Sequence, residues 1–120
     1  MYTRVYKQLD RKNQTATVMD KREAMLIASQ YVTLVKKMYP VCKAYLFGSF
    51  AKGTNHSDSD IDVALVLEQA DDILDAQVGM MKLRRSIDLR IEPHPFVFQD
   101  FEKANPVAFE IMNHGIELKY

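Results

Sequence analysis

The sequence predicts an α/β (α+β) fold: one small mixed β-sheet with helices packed on one face. Three observations predict it. Two apolar runs of strand length, Val41 to Phe47 and Asp60 to Leu67, are separated by a Gly-Ser turn and a polar loop. Segments with helical spacing of apolar residues stand before and after them. A shorter alternating stretch, Ile87 to Ile91, follows the second of those segments, so helix and strand alternate along the chain, which is the pattern of a layered sheet-and-helix domain.

Residues 1–19 are mixed in character and are read as an N-terminal extension: Tyr2, Val5, Tyr6 and Leu9 form a short apolar face before the polar connection Arg11 to Thr15. Asp20 with Glu23 three residues on has the form of a capping box. Ala24, Ile27, Ala28, Tyr31, Leu34, Val35 and Met38 then recur at helical spacing, predicting a first helix from Lys21 to Tyr39 that stops before Pro40. Met25, Leu26 and Val32 widen its apolar stripe. Asp71 and Asp72 suit the start of a second helix by opposing its positive end, with Ile73, Leu74, Val78, Met81 and Leu83 as its apolar positions and Gly79 as a local weak point. Arg84 and Arg85 complement its C-terminal end. Pro93-His94-Pro95 is expected to close the third strand, and Phe96, Val97, Phe98 and Phe101 to cover the core. Asn105-Pro106 reads as an N-cap with proline at the first helical position, Gly115 as the stop, and Ile116 to Tyr120 as a short final strand.

A chain of 120 residues with 48% hydrophobic content sustains one compact core, so a single domain over 1–120 is expected. Sixteen basic against sixteen acidic residues leave no global field to attract nucleic acid or an anionic membrane, and direct nucleic-acid binding is not expected. No apolar run approaches the roughly twenty residues that span a bilayer, and the basic residues Arg4, Lys7, Arg11 and Lys12 break up any secretory leader. Cys42 is the one cysteine, which excludes an internal disulfide and reads as a small buried hydrophobe. A cytoplasmic protein is expected.

The chemistry concentrates at Gly48-Ser49 and Asp60-Ile61-Asp62. Side chains alternate along a strand, so Asp60 and Asp62 project to one side while Ile61 and Val63 enter the core. Two carboxylates this close repel each other unless a cation lies between them, and Mg²⁺ takes one or two carboxylates with water and substrate phosphates completing its shell. The tight turn at Gly48 leaves first-turn backbone N–H groups without intrahelical acceptors, a ready anion site. By the same alternation Asp88 and Arg90 share the face opposite Ile87, Leu89 and Ile91, making Asp88 the candidate third acid, with Glu92 second. Asp58 reads as a solvated turn residue, whereas Ser57 and Ser59 could touch phosphate, though turn chemistry explains them almost as well. His56, His94 and His114 lack zinc-ligand spacing, and none receives a catalytic role.

A Gly-Ser pair, ten intervening residues and Asp-x-Asp resemble the signature of the DNA polymerase β-type nucleotidyltransferase superfamily. The short chain is similar to its minimal nucleotidyltransferase (MNT) domains, which pair as antitoxins with HEPN-domain ribonuclease toxins. Lys52 departs from the arginine many members carry before the second glycine, Gly53; it keeps the charge without the planar fork. The resemblance implies Asp60, Asp62 and Asp88 as catalytic metal ligands for Mg²⁺, and Gly48, Ser49, Lys52, Gly53 and Ser59 around the phosphates of ATP. It further implies transfer of AMP to a tyrosine hydroxyl of the HEPN toxin, with Asp88 drawing off the proton. Two alternatives stay open: an antitoxin that neutralises by binding alone, and a nucleotidyltransferase with a small-molecule or RNA acceptor.

Overall fold

The structure, a computed structural model, describes residues 19–120; the apolar face expected from Tyr2, Val5, Tyr6 and Leu9 lies outside them. Among the described residues four strands form one sheet in the order β3-β2-β1-β4, where β1 is Val41–Phe47, β2 Ile61–Leu67, β3 Ile91–Val97 and β4 Ile116–Glu117. β1 is antiparallel to β2 and to β4, while β2 and β3 run parallel. The parallel pair needs a crossover, which is made by a helix over Ile73–Leu83 and a following 3₁₀ turn, Arg84–Ser86.

Helix α1 (Lys21–Val35) begins at the capping box: the Asp20 carboxylate accepts from Glu23 N, and the Glu23 side chain accepts from Asp20 N. It stops short of the expected Tyr39. Lys36 to Met38 form a turn that leaves Met38 exposed and swings Tyr39 onto the crossover helix. There the Tyr39 hydroxyl occupies the place a Cβ on Gly79 would take, so the glycine that weakens the helix also admits that contact. One turn, α2 (Ser49–Lys52), follows β1; α3 is Ile73–Leu83, N-capped by Asp72, whose carboxylate accepts from Leu74 N and Asp75 N. α4 (Pro106–His114) starts at Asn105, which accepts from Val107 N and Ala108 N.

The main core joins Ala24, Ala28, Tyr31, Val32 and Val35 of α1 to Ile61, Val63, Leu65 and Leu67 of β2 and to Ala76 and Met80 of α3. The buried stripe of α3 is thus not the expected one, for Leu74 and Val78 point outward. The Tyr31 hydroxyl, buried between layers, donates to Met80 O at 2.6 Å, and burial pushes its phenol well above the usual range. Tyr31→Phe leaves that carbonyl with one donor fewer and is expected to cost about 1–2 kcal/mol, read from denaturant unfolding. Cys42 is half-buried, its thiol donating to Val66 O.

The third strand differs from its expected place. Ile87 to Arg90 form a turn, and β3 runs through Glu92-Pro93-His94-Pro95 instead of ending before them. Prolines cannot donate to a ladder, so they signal a strand end in sequence. Among the described residues β3 is an edge strand, where the side turned away from β2 tolerates them.

Candidate active site

β2 is buried at every position but one: Asp62, flanked by the wholly buried Ile61 and Val63, is its only opening to solvent. Antiparallel pairing sets it opposite Phe47, so the chain turns at Gly48 directly beside the carboxylate. Gly48 has φ 76° and ψ −151°, a conformation open in practice to glycine alone. A Cβ there would fall on Asp62 Oδ2. The turn is therefore a cradle shaped by the absence of a side chain. Phe50 and Ala51, both buried, anchor the α2 turn, and Gly53 ends it at φ 78°, donating its N–H to Ser49 O.

Asp60 is exposed and precedes β2 by one residue, on the other side of Ile61 from Asp62. The loop leading to it is internally braced. Ser59 Oγ accepts from His56 N at 2.8 Å, Ser59 N donates to His56 O, and Asp58 N donates to His56 Nδ1. Ser59, nearly buried, thus holds the loop that delivers Asp60. Lys52 forms an ion pair with Glu110 of α4, which holds the Glu110 carboxyl below its usual range and ties α2 to α4.

Asp88 is not brought to the strand face. It lies in the turn before β3, where Asp88 Oδ1 accepts from Arg90 N and Nε and its Oδ2 from Arg90 Nη2 at 2.7 Å. The bonds stiffen the turn and raise the Arg90 guanidinium further above its ordinary range. Arg90 O then accepts from Ile61 N, opening the parallel ladder. In that ladder Asp62 stands beside Glu92, and Ala64 beside His94. Register partners share a face, so the acid that the sheet sets next to Asp62 is Glu92. Arg84 stands 3.7 Å from Glu92 and donates to Ile91 O.

His94 reaches diagonally to Asp62, its Nε2 at 3.1 Å from Asp62 Oδ1, with its ring edge-on to Phe47. Its spacing from the other histidines gives no hint of this contact. The signal that finds it is the pairing of Ile61 with Ile91, which places every second residue of β3 on the Asp62 face.

Among the described residues no three His, Cys, Asp or Glu side chains stand close enough to hold a metal ion by themselves. What is present is a pair of carboxylates flanking one buried isoleucine beside a glycine cradle. That donor set fits a hard divalent cation that takes the rest of its shell from phosphate oxygens and water.

With this geometry, the family model described as "Polymerase beta, Nucleotidyltransferase" matches residues 30–119. The chain belongs to that nucleotidyltransferase family. Among solved structures, a mutant form of the toxin–antitoxin complex MntA–HpeT holds a chain similar to this nucleotidyltransferase at TM-score 0.59 and 20% identity, covering 77% of this chain and 72% of that one. A toxin–antitoxin structure with AMP-PNP gives TM-score 0.56 at 23% identity, covering 76% and 72%. The toxin–antitoxin MntA–HepT gives 0.53 at 21%, covering 78% and 70%. At such identities the likeness is one of fold: the mixed sheet of this nucleotidyltransferase and its helices are shared with theirs. Comparison with curated protein sequences finds no match. No helix among the described residues is long and apolar enough to cross a membrane.

Proposed function

We propose that this nucleotidyltransferase moves AMP from ATP to a tyrosine hydroxyl of a HEPN ribonuclease toxin and so acts as that toxin's antitoxin. The observation that carries the reading is Asp62, the single unburied position of β2, seated against the glycine cradle within a chain of this family. The similar folds in toxin–antitoxin complexes, one of them with AMP-PNP, support the choice of partner and nucleotide.

In this mechanism Asp60 and Asp62 would hold Mg²⁺, which when bound neutralises charge building on the phosphate oxygens. Backbone N–H groups of the turn after Gly48 receive the triphosphate, with the Ser49 hydroxyl beside them. The acceptor oxygen attacks the α-phosphorus, forming one P–O bond as the bond to the β-phosphate bridge breaks and pyrophosphate leaves. The hydroxyl proton passes to a carboxylate. We assign that carboxylate to Glu92 in place of Asp88, because Glu92 shares the Asp62 face and Asp88 is committed to Arg90. Lys52 bears on phosphate only after exchanging Glu110 for it, and Ser59 acts through the loop that carries Asp60. The toxin contributes the acceptor and the rest of its pocket. Added AMP places bulk and negative charge where the toxin must accept RNA.

Exposed Val107, Phe109 and Met112 on α4 favour a second reading, neutralisation by docking alone. Incubating the protein with Mg-ATP and its toxin, followed by intact-mass analysis, decides between them: a toxin heavier by one AMP supports transfer, and an inhibited toxin of unchanged mass supports docking. Within the transfer reading, Glu92→Gln is expected to slow turnover about a hundredfold, the scale of a lost general base. Asp88→Asn is expected to lower the melting temperature while largely sparing turnover. Initial rates and melting curves of both variants check this.

A further inference from the structure

We infer that His94 is a positioning residue that fixes the orientation of the Asp62 carboxylate, an inference that rests on the nucleotidyl-transfer reading of the site. The terminal torsion of an aspartate is broad, so an isolated Asp62 would sample many orientations. Here its two oxygens have different surroundings. Oδ2 lies under the Gly48 turn, and Oδ1 faces His94 Nε2 at 3.1 Å. An ionised carboxylate only accepts hydrogen bonds, so the pairing requires the proton on Nε2.

The mount that carries His94 is unusually stiff for an edge strand. Pro93 and Pro95 lock their own φ, and each restricts the residue before it to extended conformations. Those preceding residues are Glu92 and His94, both on the Asp62 face. Gln77 Nε2 donates to Pro93 O, tying the strand to α3, and Phe47 meets the imidazole ring at 4.9 Å between centroids, 70° apart in plane. Backbone and ring are thus both held, so the donor arrives at Asp62 already in place. The effect is to present one defined carboxylate geometry to a cation and to reduce the ordering that binding must still impose.

The test uses the full chain with Mg²⁺ and AMP-PNP as probes, titrating Mg²⁺ and reading nucleotide binding by calorimetry. His94→Asn, too short to reach Asp62, is expected to raise the Mg²⁺ concentration for half-saturation about tenfold or more, the scale seen when a residue orienting a ligand is lost. His94→Gln, whose amide does reach, is expected to restore most of the affinity. Melting curves without metal should place the two variants together, because both lose the same ring packing. In the metal-free protein, nitrogen NMR should find the His94 ring as the Nε2–H tautomer; an Nδ1–H tautomer overturns the inference. So does wild-type Mg²⁺ dependence in His94→Asn, and if Asp62→Asn meanwhile loses Mg²⁺-dependent binding, the nucleotidyl-transfer reading survives. Mg²⁺-dependent binding that persists in Asp62→Asn overturns both.

Discussion

Under the proposed nucleotidyl transfer, Asp62→Asn is expected to lower AMP transfer by about a thousandfold, equivalent to about 4 kcal/mol, because the site would lose the charge proposed to hold a cation against the phosphates. Asparagine has nearly the same volume and still offers an oxygen to His94, so the surrounding sheet is preserved. The carboxylate is one-quarter exposed, and the neighbours that secure β2, Ile61 and Val63, are untouched. Melting temperature should therefore barely move while turnover collapses. Rates of AMP incorporation into the toxin, paired with melting curves, check both halves. The same variant separates the two proposed readings: a protein that works by docking alone neutralises its toxin equally well after the substitution, whereas an AMP-transferring one does not.

Gly48→Ala is expected to damage both stability and turnover. At φ 76° and ψ −151° any side chain is strained, costing about 1–3 kcal/mol on backbone grounds. The new methyl would also land on Asp62 Oδ2, so either the turn or the carboxylate must move. Displacing a catalytic group by about 1 Å costs on the order of a hundredfold in rate. Gly53→Ala is the matched control. Gly53 also has positive φ, but nothing lies within 4 Å of the place its Cβ would take, so it should lose only about 1 kcal/mol of stability and retain most of its turnover. Thermal melts and initial rates of the two variants, measured side by side, test whether contact with Asp62 or strain alone accounts for the loss expected at the first glycine.

Several elements were legible because their signals are local. The Asp20–Glu23 box starts α1, Asn105-Pro106 starts α4, and Gly115 follows its last residue, each where hydrogen bonding over three or four residues dictates. β1 and β2 stand where apolar runs between turn residues put them. Other features depend on partners distant in sequence. Helix α1 ends early because Tyr39 finds α3, and α3 turns Ala76 and Met80 inward while Leu74 and Val78 stay outside. Ala76 and Met80 join the core cluster, a choice of face that apolar spacing alone does not reveal.

The sequence by itself determined the alternation of helices and strands, the glycine turn, and the placing of Asp60 and Asp62 around one buried isoleucine, since these follow from torsional preference and a two-residue period. Only the tertiary structure decided which later residues face Asp62. Ile87-Asp88-Leu89-Arg90-Ile91 alternates as well as any strand, yet Asp88 and Arg90 satisfy each other locally, and pairing with β2 starts at Ile91. Parallel strands are joined by a long crossover and not by a tight turn, so their register is set by matching buried faces, and that register brings Glu92 and His94, set among prolines, to the carboxylate.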